Sequence, residues 1–489
     1  MSFKIQNWLV VALLFVVFLL PFLRMQNFSP ASDEIILLSS GYSYIKTGET
    51  KFSPQHPPLI RMIAAVPLLF LNFEFDRERY DLISSTADEW QFSRDLFFNN
   101  GLDKAVFWGR IPMILLSVLL GWYIFKWGKE LFDYKAGAVA LFIYAFMPNI
   151  IGHSQLVGTD LGLAAFSFIA VYYLWKFLED ATKKNTILSG LTLGLALGSK
   201  FSAVFLLPIF VILLGIYAWK NKSGKNFMFV FGLAFLVLWA LYFFPSDLLF
   251  YWGKLKTVYN DSNLEHYYYL NGNFSQDGWW YYFLWAFIIK TPIPFLVVLL
   301  WAIARYKKIG LSLWNGLFIL LPSALFLFMA SWKAHNIGVR YILPIYPFLI
   351  LYVGGFVDRI MNNELRIMKK AASSLIHNSY FIILVLLAGW YVFSALNTYP
   401  NHLAYFNELV GGSKNGYKYL DDSNIDWGYD LKRLAEYQKE NPNMKVITSW
   451  NHVDAGMSYG IKNIIPINFQ DKTWSDPNGK YALSSHVVV

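Results

Sequence analysis

Long apolar runs recur along the chain at 8–23, 106–125, 136–152, 161–178, 201–219, 227–245, 281–300, 311–330, 341–357 and 379–396, with short polar stretches between them. A helix needs about 20 mostly apolar residues to cross about 30 Å of hydrocarbon, so each run predicts a membrane span. Two further segments are ambiguous. Residues 59–72 (LIRMIAAVPLLFLN) are apolar but carry Arg61 and Pro67, and residues 187–199 (ILSGLTLGLALGS) are short and rich in glycine.

The distribution of basic residues decides both. Cytoplasmic loops of membrane proteins are enriched in Lys and Arg. With the N-terminus in the cytoplasm, 59–72 lying on the membrane surface as an interfacial helix and 187–199 crossing, the inner loops collect Lys126, Lys129, Lys135, Lys183, Lys184, Lys220, Lys222, Lys225, Arg305, Lys307, Lys308, Arg359, Arg366, Lys369 and Lys370. The outer loops at 153–160, 200, 246–280 and 331–340 then hold Lys200, Lys254, Lys256, Lys333 and Arg340. Letting 59–72 cross would reverse every later loop and invert the bias. The expectation is a polytopic α-helical membrane protein with about eleven transmembrane helices, its N-terminus cytoplasmic and its C-terminus outside. The first apolar run has only Lys4 ahead of it and no small-x-small cleavage site after Leu20, so it reads as a retained span rather than a signal peptide.

Two polar pieces fall on the outer side: a first loop at 24–104 and a tail from 397. In the tail, DLKRLAEYQKEN predicts an amphipathic helix with Leu431, Leu434 and Tyr437 on one face, KVITSW predicts a strand, and the closing KYALSSHVVV is strand-like. Residues 1–396 are thus expected to form the membrane domain, and 397–489 a small extracytoplasmic α/β domain.

Composition narrows the function. Hydrophobic residues make up 56% of the 489 and charged residues 15%, against about 25% charged in ordinary soluble domains, which excludes disorder and a purely soluble enzyme. The net charge of +9 is spent on topology rather than on nucleic acid. The chain has no cysteine, so disulfides, thiolate nucleophiles and cysteine metal sites are absent.

The remaining ionisable residues gather at the outer ends of the spans. Asp33 and Glu34 (SPASDEIILL) follow the first span; Ser32 or Asp33 there is a candidate helix N-cap, yet paired carboxylates just above hydrocarbon are costly and functional in most settings. His56 precedes two prolines (HPPL) that fix its direction. His153 and Asp160 lie in IIGHSQLVGTDLG; Asp160 beside Thr159 is again a candidate N-cap. Two carboxylates on one face suit a general base with a group that orients the acceptor, or a divalent-metal site. Lys200 is the sole charge between 185 and 219, so it calls for an anionic partner or for snorkelling to the headgroups. Lys333, His335 and Arg340 (SWKAHNIGVRYILPIYP), with Arg110 at the head of the second span, add outer cations able to hold a phosphate. The aromatics Tyr267, Tyr268, Tyr269, Trp279, Trp280, Tyr281 and Tyr282 read mostly as an interface belt.

In order along the chain, Asp-Glu after the first span, HPPL, H-x6-D from His153 to Asp160, GLALGSKFSA, GWWYYF…KTPIP, GVRYILPIYP, HLAYFNELVGG and DDSNIDWGYDLKRL resemble the GT-C fold polyprenol-phosphate-sugar-dependent glycosyltransferases. They are most similar to the bacterial and archaeal branch of family 39, the relatives of the dolichyl-phosphate-mannose–protein mannosyltransferases. The resemblance spans nearly the whole chain. It implies inverting, mannosyltransferase-like transfer of a sugar from a polyprenyl-monophosphate carrier to a protein, lipid or glycan acceptor on the extracytoplasmic face of the cell membrane. By resemblance Asp33 is the catalytic base, Glu34 shapes the acceptor site, Asp160 is the second acid of the cleft, and Lys200, Arg110, Arg340 and His56 meet the carrier phosphate; His153, His335 and Lys333 are further cleft candidates. The related lipid A aminoarabinose transferases carry Lys where His56 stands, which points away from that sugar. No cofactor is required on this reading: a divalent metal has precedent in the fold, but no DxD-type spacing supports one here. The rival reading is a transporter or lipid-linked sugar flippase, which would place charges near the midplane in repeated halves; no such repeat is present.

Overall fold

Helices occupy every segment whose hydropathy predicts a span, but proline divides two of them. The computed structural model describes residues 3–49, 52–221, 224, 226–261, 267–368, 375–449, 456–467 and 481–483. Within these, the run at 136–152 is two helices, Tyr134–Ala145 and Pro148–Ser154, meeting at 66°. The run at 281–300 is Tyr282–Lys290 and Ile293–Ala304, meeting at 116°. In both, the residue before proline is extended: Met147 at ψ 112 and Thr291 at ψ 135. Proline lacks an N–H and clashes with an α-helical predecessor, so the ladder ends there.

Asn7–Met25, Leu102–Leu131, Thr159–Glu179, Phe201–Asn221 and Leu313–Trp332 are long and apolar enough to cross a bilayer, making five such helices, or seven spans if each bent pair is one. The chain is therefore an integral membrane protein. The count of eleven and the direction of crossing rest on the loop charges alone; of those, Lys222, Lys225, Lys369 and Lys370 lie outside the described residues, as do the side chain of Lys333, Trp450 and the end of the strand-like run at 484–489.

Segment 59–72 is the helix Pro58–Ala65 followed by a 3-10 turn at Val66–Phe70. It packs on Ser32–Thr47 so closely that a Cβ on Gly41 would sit 2.0 Å from the Arg61 carbonyl oxygen. Arg61 is buried and donates to the carbonyls of Phe52 (2.6 Å) and Ser53 (3.3 Å). The Gly-rich helix Lys183–Leu197 lies against Phe227–Leu241, with Gly190 and Gly194 facing its backbone; small residues at such contacts let membrane helices approach.

The tail divides. Residues 402–430 are short 3-10 turns woven into the helices: Phe406, Val410 and Leu420 join the main core, and Leu403, Trp427 and Tyr429 pack with Phe28, Ala31 and Leu156. An α/β arrangement is present from Leu431 onward, where the helix Leu431–Glu440 adjoins a parallel three-stranded sheet ordered Ile464–Ile467, Lys445–Ser449, Tyr481–Leu483. The helix buries Leu431, Ala435 and Gln438 and packs Leu434 against the same cluster, so of the expected face Leu431 and Leu434 turn inward and Tyr437 is exposed. Gln438 is drawn inward because its side chain bonds the backbone of Met444 and Lys462.

Candidate active site

Helix Ser32–Thr47 starts with Ala31 as its N-cap, so neither Ser32 nor Asp33 caps it. Glu34 does that work from inside the first turn, accepting from the Ala31 N–H (2.8 Å). Ser32 turns outward: its N–H and hydroxyl both donate to the Trp427 carbonyl, at 2.9 and 3.2 Å. Acidic residues in a first helical turn also meet the positive end of the helix dipole.

Glu34 and Arg110 take each other. Arg110 Nε and Nη2 donate to the two Glu34 oxygens at 3.0 and 2.6 Å, and its other N–H groups serve the carbonyls of Met25, Phe28 and Ser29. Glu34 also accepts from the Val157 N–H (2.9 Å). Both side chains are buried. Where the resemblance assigns Arg110 to a phosphate and Glu34 to the acceptor site, the structure has every Arg110 donor engaged within the chain and Glu34 tying the first loop to the helices.

Asp33 points the other way. It is 42% exposed, and Arg340 Nη1 lies 3.3 Å from its Oδ2. Desolvation by the surrounding protein raises its pKa, opposed by the Arg340 charge and reinforced by Asp422 and Asp160. Asp160, in the first turn of Thr159–Glu179, accepts a short hydrogen bond from Lys200 Nζ; thus Lys200 finds its anion within the chain rather than snorkelling. Lys200 also lies 4.6 Å from the Tyr341 ring, and Arg340 lies 4.1 Å from that of Trp427. His56 feels Lys200, Asp160 and Arg340 at close quarters, and burial first, then Lys200 and Arg61, pushes its pKa down to about 3. It is therefore neutral and can offer a phosphate a hydrogen bond but no positive charge.

His153 is buried, with Nδ1 2.7 Å from the Asn149 carbonyl and Nε2 without a protein partner. Arg340 Nε and His56 Nδ1 likewise find no hydrogen-bond partner among the described residues. His335 is bound to the Tyr268 hydroxyl at 2.6 Å. Among the described residues no group of three or more His, Asp or Glu side chains converges on a metal position. Of the aromatics, Tyr269 and Tyr282 are buried, whereas Tyr267, Trp280 and Tyr281 are exposed.

Three contributors to the cleft sit inside the motifs without having stood out as charges at span ends. Asp422 and Trp427 lie in DDSNIDWGYDLKRL, and Tyr341 follows Arg340. A fourth, Lys290 of KTPIP, is fully buried and donates to the carbonyls of Leu403 (2.7 Å) and Asn424 (2.5 Å), fixing the tail beneath the cleft.

With this geometry the similarities can be read. Along nearly its whole length the chain superposes on the archaeal oligosaccharyltransferase AglB from Archaeoglobus fulgidus, in complex with an inhibitory peptide and a dolichol-phosphate, with a TM-score of 0.52 at 12% identity, covering 96% of this chain and 65% of that one. It superposes on ArnT from Cupriavidus metallidurans with a TM-score of 0.51 at 12% identity, covering 95% of this chain and 90% of that one. The chain has the GT-C fold. The same Cupriavidus protein bound to undecaprenyl phosphate gives a TM-score of 0.50 at 12% identity, covering 96% of this chain and 87% of that one. Residues 98–243 match the family model of the dolichyl-phosphate-mannose-protein mannosyltransferases, a stretch of the GT-C body that holds Arg110, His153, Asp160 and Lys200. No curated protein matches in sequence. The chain spans under two thirds of the Archaeoglobus enzyme's length.

Proposed function

We propose that the chain is a glycosyltransferase that moves a sugar, with inversion, from a polyprenyl-monophosphate carrier to an acceptor hydroxyl on the extracytoplasmic face. The observation that carries this reading is the cleft's pairing of an accessible carboxylate, Asp33, with Arg340 at 3.3 Å and the Lys200–Asp160 pair close by. Similar folds whose names cite dolichol-phosphate and undecaprenyl phosphate support the donor class; the mannosyltransferase family match supports mannose as the first sugar to try.

Asp33 takes the acceptor proton as the acceptor oxygen bonds to the anomeric carbon. The bond from that carbon to the phosphate oxygen breaks, and polyprenyl monophosphate leaves. Such a base contributes about 10²–10⁴-fold, and preorganised positive charge at the leaving oxygen contributes as much or more. Arg340 supplies that charge, with an Nε still free, and Lys200 adds to it when its grip on Asp160 loosens. Neutral His56 donates a hydrogen bond. These groups suffice without a cofactor, so chelators should leave the rate unchanged. On the loop-charge topology of eleven spans, the N-terminus is cytoplasmic and the cleft opens outward, where protein, lipid or glycan acceptors are available.

The test is transfer in liposomes from a labelled polyprenyl-phosphate mannose to membrane-extract acceptors. Asp33→Asn should abolish transfer and leave donor binding intact. Near-normal transfer by that variant overturns the reading, and solute movement without cleavage of the carrier bond would favour a transporter.

A further inference from the structure

Arg340 and Asp33 come from segments 307 residues apart in sequence, and no element of secondary structure is shared between them. Arg340 lies in a 3-10 turn, Val339–Ile342, and Asp33 in the first turn of a helix without a side-chain N-cap. A third segment sets their separation. The indole ring of Trp427 lies 4.1 Å from the Arg340 guanidinium carbon. Its backbone carbonyl accepts from both the N–H and the hydroxyl of Ser32, the residue before Asp33. Trp427 is nearly buried, so both contacts are shielded from water. The segment is itself fixed: Asn424 Oδ1 accepts from the Val339 N–H (3.0 Å), its amide donates to the Tyr282 hydroxyl (3.0 Å), its carbonyl receives Lys290, and the Ser423 hydroxyl donates to the Ile337 carbonyl (2.7 Å).

We propose that Trp427 is a positioning residue, which holds the Arg340 guanidinium by its ring and the Asp33 turn by its carbonyl, so that the cation serving the carrier phosphate and the base serving the acceptor hydroxyl keep a fixed spacing. The proposal rests on the glycosyltransferase reading of the cleft and names the residue that registers it. Ring and carbonyl have separable roles. Substitutions at 427 keep the carbonyl and change the ring, which meets Arg340 and also packs with Phe28, Ala31 and Leu156; Phe and Leu both supply apolar packing there, so the difference between them reports on Arg340. A cation is drawn to an aromatic face and not to an aliphatic side chain of similar burial; packing does not make that distinction.

The experiment uses the purified full chain and undecaprenyl monophosphate in detergent as the probe, with affinity and thermal midpoint measured for Trp427→Phe, Trp427→Leu, Arg340→Ala and the Trp427→Leu/Arg340→Ala double variant. Trp427→Leu should weaken the probe by about tenfold, the scale of a desolvated cation–π contact, while Trp427→Phe retains most of the affinity. In the double variant the loss should be no larger than for Arg340→Ala alone, since contacts that share a partner are not additive. Equal affinities for the Phe and Leu variants, or losses that add, overturn the proposal and leave the reading of the cleft standing. An Arg340→Ala chain with unchanged affinity overturns the reading of the cleft, and this proposal with it.

Discussion

Replacing Glu34 with Gln separates a structural carboxylate from a catalytic one. The substitution conserves shape and removes one charge, leaving the buried Arg110 guanidinium without its anion. Glu34 accepts four hydrogen bonds, two from Arg110 and one each from the N–H groups of Ala31 and Val157, and the amide can keep only part of that set because its nitrogen faces donors. Breaking a buried pair by neutralising one member costs about 3–5 kcal/mol. At about 2 °C per kcal/mol for a large chain, the thermal midpoint should fall by roughly 6–10 °C. The assay is a melt of the purified chain in detergent, at one scan rate, beside transfer measured well below the melt. Glu34→Gln should melt early yet transfer at near wild-type rate when folded, and Glu34→Leu/Arg110→Met should recover much of the midpoint, as apolar replacements of buried pairs do. An unchanged midpoint with transfer abolished would refute the structural assignment and return Glu34 to the chemistry.

Two further outcomes are expected. Because the Asp33 pKa is raised by desolvation and the base acts ionised, kcat/KM should fall as pH drops through a value above the ordinary carboxylate range. The folded state favours the protonated form, so ionised Asp33 costs stability at neutral pH, and that cost disappears as pH falls through its folded pKa; Asp33→Asn should therefore melt no lower than wild type at pH 7, with the difference vanishing in acid. Gly278 has φ +68, and a Cβ there would lie 2.4 Å from Asn336 Oδ1, which receives the Trp279 N–H; Gly278→Ala should lower the melt by several degrees, and an unchanged melt would show that the turn is not held by Asn336.

Much of this arrangement was legible in the residues. Apolar length located the helices, and the outer cluster of Asp33, Asp160, Lys200 and Arg340 was visible as charges at span ends. The bends at Pro148 and Pro292 interrupt runs that hydropathy presents as single spans at 136–152 and 281–300, because apolar length does not register where a proline ends the ladder. Pairing was not legible. Glu34 and Arg110 meet across 76 residues, and nothing local distinguishes Glu34, which turns inward, from Asp33, which faces the cleft; helical rotation between successive residues does so only once the partner is placed. The role of 402–430 was hidden because its contacts are single Asn, Ser and Trp residues meeting backbone groups, which leave no periodic signature. The packed face of Leu431–Glu440 keeps Leu431 and Leu434 of the hydropathic one but takes Gln438 in place of Tyr437, because hydrogen bonds draw Gln438 in.

The Ser29 hydroxyl and N–H meet the backbone at Gly428 and Tyr429, and the Leu431 N–H returns to the Ser29 hydroxyl, so the segment before Asp33 is stitched to residues about 400 apart from it in synthesis. At roughly 5–20 residues per second, Asp33 leaves the ribosome some 20–80 s before the segment that registers it. Arg340 follows Asp33 by 307 residues, so for most of that interval the carboxylate has no guanidinium to meet, and for the rest the two lack a common frame. The contacts that hold Ser29 and Ser32 in register therefore form only after residue 431 has been made, late in translation.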